Sequence, residues 1–277
     1  MRIFETFKPK SKLLSKYISY YYLDVADDRN YFNEYICYPH YNTTVSLYKN
    51  HLSKLDKYHS IINYKKEASP IQIYTPLREK PLKVTQYGPV HKIAIVFEPF
   101  GINQFLKTGI KINVSSSSPD FQMFDNDFIH QLFQIGDIEE ITTLLDQQLL
   151  YLLKPIDNVY LEKTLQLFHQ EENELNIDEI ADQKLGISRK HLSRLFNQYL
   201  GVSPQKYRTI VRFRQLMAHK LSLVGKNNYT TLSHQAHYTD QSHFIKACKQ
   251  LTGLTPMQFF NNGEIVGSED TFWNFKV

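Results

Sequence analysis

The stretch TDQSHFIKACKQLTGLTPMQFF, residues 239–260, contains a capped amphipathic helix, a glycine stop and a proline restart. Asp240 is a good N-cap for a helix. The apolar residues after it follow the i, i+3, i+4, i+7 spacing of a single helix face: Phe244, Ala247, Cys248 and Leu251. Many proteins contain one such pattern, so its meaning depends on whether it occurs a second time in the chain.

A shift of 52 residues places this stretch on SRKHLSRLFNQYLGVSPQKY, residues 188–207. Both segments begin with a capping residue and end in Gly-x-[Ser/Thr]-Pro-x-x-aromatic. The apolar stripe recurs at Leu192, Leu195, Phe196 and Tyr199, and upstream Ile180-Ala181 falls on Leu232-Ser233. Each unit is therefore predicted to be a helix, a tight turn, a capped second helix and a glycine stop, which is the outline of a helix-turn-helix.

The face opposite each apolar stripe carries side chains suited to base edges and phosphates in a DNA major groove. In the first unit these are Lys190, Arg194 and Asn197, with Ser193 flanking, and in the second they are Ser242, Lys246 and Lys249, with Ile245 flanking. Gln241, in the first turn of its helix, is placed to reach a base edge or a phosphate. An ordinary solvated helix face is the alternative for any one of them.

The charge distribution favours a polyanionic partner. From Gln183 to Gly263 the chain carries twelve Lys and Arg residues against one acid, Asp240, whereas residues 155–182 hold eight acids and one Lys. A folded region with charges of one sign is typical of nucleic-acid binding.

Between the units lies QKYRTIVRFRQLMAHKLSL, 19 residues without Gly or Pro. As a helix it would span about 28 Å. A connector of that length can hold two recognition helices about one DNA turn, roughly 34 Å, apart. The predicted phosphate contacts are Arg189, Arg208, Arg212 and Lys249. For the connector arginines, Arg208, Arg212 and Arg214, pairing with acidic side chains is the alternative.

Residues 158–260 resemble the DNA-binding domain of AraC/XylS-type transcription regulators, which carries two such units. The resemblance implies base contacts from Lys190, Ser193 and Arg194 in the first unit, and from Gln241, Ser242, His243 and Lys246 in the second. It implies a double-stranded DNA operator and RNA polymerase as partners. Whether such a regulator activates or represses transcription stays open.

Two departures from the family pattern bear on geometry. The first unit is one residue longer than usual between Ala181 and Gly186, which leaves its turn unspecified. The second unit has His237 where the family usually has glycine, and His enters left-handed backbone conformations less readily. The second unit is therefore expected to be looser or less specific.

Composition divides the chain into an amino-terminal domain (1–154), a DNA-binding domain (155–264) and a tail (265–277). Residues 1 to about 110 are rich in Tyr, Ile, Val and Thr and broken by prolines, which predicts strands. A weaker family resemblance implies a cupin-like barrel or sandwich followed by packed helices, with a role in sensing or assembly. The predicted fold class is α+β, with an all-helical second domain.

The helix predicted near 137–152 has a narrow apolar stripe with 3-4-4-3 spacing: Ile138, Ile141, Leu145, Leu149 and Leu152. Such spacing is close to a coiled-coil seam and fits a homodimer. The alternative is that the stripe covers the sheet of its own domain.

The amino-terminal domain offers two further candidate features. His40, His51, His59 and His91 are too scattered for a metal-binding cupin pattern, so neither a metal nor another cofactor is predicted. The aromatic cluster Tyr17, Tyr20, Tyr21 and Tyr22 either lines a pocket for a small-molecule effector or packs in the core.

The competing function is an enzyme that carries this DNA-binding module, such as an alkylation-repair methyltransferase. That chemistry needs a cysteine activated by basic neighbours, and neither Cys37 nor Cys248 has them in sequence. The sequence lacks an 18-residue apolar run and an apolar leader, so a bacterial, cytoplasmic, non-membrane protein is expected. A transcription regulator without enzymatic activity is the favoured interpretation.

Overall fold

The structure is a computed structural model that describes residues 2–106, 112–113, 115–117, 120–170, 175–222, 241–269 and 272–275. Its first part consists of ten strands: β1 Arg2–Phe7, β2 Ile18–Ala26, β3 Phe32–Cys37, β4 Thr43–Tyr48, β5 His51–Leu55, β6 His59–Tyr64, β7 Ile71–Thr75, β8 Leu82–Tyr87, β9 Val90–Phe97 and β10 Ser116–Ser117. Single 3₁₀ turns lie at Leu14–Lys16 and Ile102–Gln104.

Helices follow, and the chain ends in two short strands. The helices are α1 Asn126–Leu132, α2 Ile138–Leu152, α3 Val159–His169, α4 Ile177–Glu179, α5 Arg189–Leu200, α6 Pro204–Ser222, α7 Gln241–Thr252 and α8 Pro256–Asn262. The strands are β11 Glu264–Ile265 and β12 Phe272–Phe275. The predicted α+β class, with a β-rich first domain and a helical second one, is confirmed.

Two six-stranded sheets face each other across an apolar core. Their strand orders are β1-β2-β9-β4-β7-β10 and β11-β12-β3-β8-β6-β5, and the pairings are antiparallel except that of β6 with β8. Side chains alternate across β2, so Tyr20 and Tyr22 pack between the sheets, whereas Tyr21 lies on the opposite face of its sheet. The Tyr21 hydroxyl donates to Asp146 Oδ1 over 2.8 Å.

Helices α1 and α2 cover that opposite face. Asp137 caps α2 by accepting from the Glu140 backbone N–H. The apolar stripe of α2 packs in the core beneath, where Leu145 and Leu149 are completely buried. These side chains have no surface left for a second copy. The stripe of Ile138, Ile141, Leu145, Leu149 and Leu152 therefore covers its own sheet, and the dimer-seam interpretation is wrong.

The helical domain has its own core, which continues into the first domain. Leu192, Phe196, Tyr207 and Phe213 lie at its centre, and the same cluster includes Tyr38 at the end of β3. The two domains therefore share apolar surface rather than meeting only through a linker.

Hydrogen bonds reinforce this junction. Arg214 on α6 is buried and donates through Nε to the Pro39 carbonyl over 2.7 Å and through Nη2 to the Tyr38 carbonyl over 3.1 Å. Asn103 donates to the Tyr199 carbonyl at the end of α5 over 3.1 Å. The end of α5 and the middle of α6 are thus held by the amino-terminal domain.

The chain end returns to the first domain, because β12 pairs with β3 and extends the second sheet. The segment predicted as a tail, residues 265–277, therefore contains β12. Strands of two and four residues are too short to show a hydrophobic periodicity in the sequence.

Candidate nucleic-acid interface

The first helix-turn-helix begins at a capping box. The Asn176 side chain accepts from the Glu179 backbone N–H over 3.0 Å, and the Glu179 carboxylate accepts from the Asn176 N–H over 2.7 Å. This reciprocal pair satisfies backbone donors at the start of α4. Ile180 and Ala181 then bury the inner face of the segment against the helical core.

The extra residue of the first unit is absorbed in a π-helical turn. Residues 180–184 adopt the wider i→i+5 form, which accommodates one additional residue within a helical turn. Gly186 then ends the segment at φ 65°, in the left-handed region, and Ile187 N–H closes the turn on the Ala181 carbonyl over 2.9 Å. The apolar positions before and after the insertion therefore stay in register.

Helix α5 has the predicted amphipathic structure. Ser188 caps it by accepting from His191 N–H over 3.2 Å, and Gly201 ends it at φ 73°. The stripe packs inward, with Leu192, Leu195 and Phe196 buried. The cap, the stripe and the glycine stop predicted for this unit are confirmed.

The opposite face of α5 is exposed, as a base-reading helix requires. Lys190, Arg194 and Asn197 are exposed, and Ser193 is half-buried. Arg194 lies 3.3 Å from His191 Nδ1, and the Asn197 amide donates to the Ser193 carbonyl over 2.7 Å. Lys190 and Arg194 therefore present the exposed positive charges of this surface.

The four predicted phosphate contacts lie in different environments. Lys249 is exposed and Arg212 half-buried, while Arg189 is exposed and pairs with Asp178 over 2.9 Å. Arg208 is buried, and its Nη1 donates to the Leu175 carbonyl.

The pKa of Arg208 is lowered to about 10, mainly by burial and secondly by the positive charge of Arg212. Its guanidinium also lies 5.7 Å from the centroid of the Phe168 ring. The prediction that Arg208 contacts phosphate is wrong, because its guanidinium is used inside the domain.

The second unit repeats the design on α7 and α8. Ala247, Cys248 and Leu251 are buried, and Gly253 ends α7 at φ 78°. Thr255 forms a capping box at the start of α8 with Gln258, as Asn176 does in the first unit. The glycine stop and proline restart in the opening stretch are confirmed.

Lys246 and Lys249 are exposed on α7, and Ile245 beside them is half-buried. The side chains of Gln241, Ser242 and His243 lie outside the described residues, as do the turn with His237 and the cap at Asp240. The expectation that the second unit is looser or less specific rests on His237, so it also lies outside the described residues.

Helix α6, Pro204–Ser222, follows the first unit as one element of 19 residues, and the predicted connector helix is confirmed over its described length. Its inward face is buried along its length at Tyr207, Ile210, Val211, Leu216 and Met217. Buried Tyr207 hydrogen-bonds His169 Nε2 over 2.9 Å, which ties α6 to α3.

The space between the two sheets contains a cavity of about 80 Å³. Tyr20 and Tyr22 line it, whereas Tyr17 and Tyr21 pack in the core on the opposite face of the sheet. The tyrosine cluster is therefore divided between a cavity wall and an apolar core.

Two basic side chains that the sequence analysis did not single out also line the cavity. Lys92 is buried, hydrogen-bonds the Tyr22 hydroxyl and lies 4.7 Å from that ring's centroid. The Nε atom of Arg78 is buried without a hydrogen-bond partner among the described residues. Neither residue belongs to a sequence motif. Lys92 lies on β9 and Arg78 in the β7–β8 connection, and only the sheet topology brings these two segments together.

Residues 158–262 match a protein family described as "Helix-turn-helix domain". These residues are a helix-turn-helix domain of the AraC type. An uncharacterised helix-turn-helix-type transcriptional regulator of Haemophilus influenzae is 26% identical over 116 residues, which cover 42% of this chain and 37% of the relative.

The bifunctional transcriptional activator and DNA repair enzyme Ada of Escherichia coli is 30% identical over 95 residues, 34% of this chain and 26% of the relative. The aligned part therefore spans about a third of the first relative's length and a quarter of the second's.

Crystal structures of ToxT from Vibrio cholerae have a related arrangement. One has a TM-score of 0.46 at 11% identity and covers 94% of this chain and 97% of that one. Another, with an unsaturated fatty acid bound, has a TM-score of 0.49 at 11% identity, with coverage of 90% and 98%.

The described residues contain no group of three or more His, Cys, Asp or Glu side chains placed to hold a metal ion. Burial raises the pKa of Cys37, and it raises that of Cys248 to about 11. Both thiols are therefore protonated at neutral pH, unlike the thiolate that methyl transfer to cysteine needs. Within the described segments, no helix is long and apolar enough to span a membrane.

Proposed function

We propose that this protein is a sequence-specific DNA-binding transcription regulator that reads adjacent major-groove segments with α5 and α7. The observation that carries the proposal is the duplicated exposed basic face, at Lys190 and Arg194 in the first unit and Lys246 and Lys249 in the second. Helix α6, which begins after the first unit, shares one apolar core cluster with α7, so the two faces belong to one packed domain.

The proposed base contacts are those of the two recognition faces: Lys190, Ser193, Arg194, Asn197, Gln241, Ser242, His243 and Lys246. The proposed phosphate contacts are Arg189 and Lys249, which are exposed, and Arg212, which is half-buried on α6. DNA binding would place the protein in the bacterial cytoplasm, and control of transcription would make RNA polymerase its protein partner.

The test is selection of bound duplexes from random-sequence DNA, followed by affinity measurements on the selected operator. Lys190→Ala plus Arg194→Ala should weaken operator binding by about 2–6 kcal/mol, since each base contact contributes roughly 1–3 kcal/mol. Thermal stability should not change, because both side chains are exposed.

Lys65→Ala plus Lys66→Ala is the matched control, since it removes two exposed positive charges from the amino-terminal domain. Equal losses in both double variants would mean that only net charge matters. A selection that returns no preferred sequence would overturn the proposal itself.

We also propose that the cavity between the sheets receives a small anionic effector. Lys92 and Arg78 support this class, because both line the cavity and the buried Nε atom of Arg78 has no hydrogen-bond partner among the described residues. A small-molecule ligand of ordinary size needs a pocket volume of about 300 Å³ or more. The cavity must therefore widen on binding, by movement of the two sheets or of the strand at their edge. A thermal-shift screen of small carboxylic acids tests the idea, and stabilisation that persists in Lys92→Met would contradict it.

No observation on the described residues favours the enzyme alternative, and the protonated state of both thiols opposes it. We therefore propose that the chain has no catalytic activity of its own.

A further inference from the structure

The chain does not end at the second helix-turn-helix unit. After α8 it forms the hairpin β11–β12, and β12 adds to the free edge of β3, with Trp273 opposite Cys37 and Phe275 opposite Tyr35. We call this hairpin, residues 264–269 and 272–275, the strap. It connects the last helix of the DNA-binding domain directly to a sheet of the amino-terminal domain.

The strap also contacts the other sheet. Ser268 N–H donates to Thr6 Oγ1 over 3.2 Å, and Glu269 pairs with Lys8 over 3.3 Å. Gly267 passes so close to β1 that an added Cβ would lie 2.8 Å from the Phe4 ring. The strap therefore bridges the edge strands β1 and β3 and closes the open side of the two-sheet core.

Trp273 is the anchor of the strap. Its ring is buried, stacks on Tyr35 at 4.6 Å between centroids and meets Phe4 and Tyr22 edge-on at 5.4 and 6.2 Å. It also lines the cavity between the sheets. The Trp273 side chain of this four-residue edge strand is thus held in an aromatic cage.

Among the described residues, α7 and α8 of the second unit also contact the amino-terminal domain. Phe259 on α8 meets Tyr38 edge-on at 4.6 Å, and Lys80 donates to the Gln250 carbonyl over 3.1 Å. Cys248 and Leu251 of α7 belong to the apolar cluster that includes both Tyr38 and the inward face of α6. Docking on the amino-terminal domain therefore adds to the packing of α7 on α6, and the strap reinforces that docking.

We propose that the strap is an intramolecular strand-addition device that keeps the second helix-turn-helix unit docked and ordered for DNA binding. A strand tethered to its own sheet binds at a high effective concentration, so one aromatic anchor is enough to hold it. Keeping α7 ordered removes an entropic cost from reading the second DNA segment. This last step rests on the proposed DNA-binding function, whereas the ordering of α7 and α8 does not.

The ordering is tested without DNA, by hydrogen exchange on the full chain, on a chain ending at Gly263 and on Trp273→Ala. Ile265→Ala is the matched control, because Ile265 lies in the same hairpin but is 54% exposed. Loss of the strap should raise amide exchange in α7 and α8 at least tenfold and leave α5 unchanged. Unchanged exchange in α7 and α8, or an equal rise in α5, would overturn the proposal.

The DNA step is tested with two duplexes, the selected operator and a version scrambled in the segment that the second unit reads. Trp273→Ala should bind the operator at least tenfold more weakly, whereas its affinity for the scrambled duplex should match that of the unaltered chain. Equal losses on both duplexes would show general destabilisation instead. Absence of any sequence preference in the unaltered chain would count against the proposed function alone.

The unaltered chain supplies a further measurement, because Trp273 is its single tryptophan. Its emission reports the strap directly. On operator binding the emission should stay blue-shifted and shielded from iodide, because the strap remains in place. A red shift with new iodide quenching would mean that DNA binding releases the strap, which contradicts the proposed role.

Discussion

Two arginines four residues apart on α6 have different environments, and this difference predicts different mutant behaviour. Arg208 is buried against Phe168 and donates to the Leu175 carbonyl, whereas Arg212 is half-buried. Arg208→Ala should lower the free energy of unfolding by about 1–3 kcal/mol, because it removes a charged hydrogen bond and leaves a carbonyl unpaired. Arg212→Ala should instead reduce the slope of log affinity against log salt by about one.

Chemical denaturation and salt titration of operator binding measure the two effects separately. A reduced salt slope in Arg208→Ala with unchanged stability would restore Arg208 to the DNA surface. The run of basic residues predicted a partner of opposite charge, but not which side chains reach it. That depends on carbonyls of distant segments, such as that of Leu175.

His169 predicts a pH dependence of stability. Burial lowers its pKa to about 4, and its Nε2 is hydrogen-bonded to the hydroxyl of Tyr207, whose own pKa is raised by burial. The unfolded chain, with a His pKa of about 6.5, binds the proton between these values and the folded chain does not. The contribution of His169 to stability is therefore complete above pH 6.5 and is lost as the pH falls towards 4, by up to roughly 3 kcal/mol.

Urea denaturation at pH 7 and pH 4.5 measures the loss, and His169→Gln separates it from other titrating groups. Glutamine can accept from the Tyr207 hydroxyl but does not titrate. The difference in unfolding free energy between the two pH values should therefore be smaller in the variant. An identical difference in both proteins would show that His169 is charged, or exposed, in the folded state.

At the scale of secondary-structure elements, the hydrophobic period alone could not identify the surface against which the apolar stripe of α2 packs. The 3-4-4-3 spacing fits a partner helix and a covering sheet equally well, and the sheet face that receives it is assembled from strands far away in sequence. The recognition units were more predictable, because their caps, stripes and glycine stops are local. The extra residue before Gly186 was visible in the sequence, but its accommodation in a π-helical turn was not.

The buried stripe predicts the outcome of a charged substitution. Leu145→Asp places a carboxylate in a fully apolar site and should lower the free energy of unfolding by about 4 kcal/mol or more. Tyr151→Asp is the matched control on the same helix, because Tyr151 is 82% exposed, and it should change stability by less than about 0.5 kcal/mol. Thermal melting with sedimentation decides, and a folded, monomeric Leu145→Asp beside a dimeric parent would indicate an interface after all.

Over the whole molecule, the junction between domains was the least predictable feature. A boundary near residue 154 follows from composition, yet composition does not reveal that a buried arginine of α6 bonds carbonyls at the end of β3. Nor does it reveal that the chain end returns to that same strand. Both contacts join segments more than 170 residues apart, and neither has a local sequence signal.

This junction predicts how the protein melts. Arg214 donates to the carbonyls of Pro39 and Tyr38 from a buried position, so the two domains should unfold together in one calorimetric transition. Arg214→Ala leaves two buried carbonyls without these donors, and each hydrogen bond to a charged group contributes roughly 1.5–3 kcal/mol. The variant should therefore show two transitions, with the helical domain melting first.

Lys206→Ala breaks only the surface pair with Glu79 and should cost less than about 1 kcal/mol while keeping one transition. If Arg214→Ala also melts in a single transition at the parent temperature, the domains are coupled by their shared apolar core rather than by this arginine.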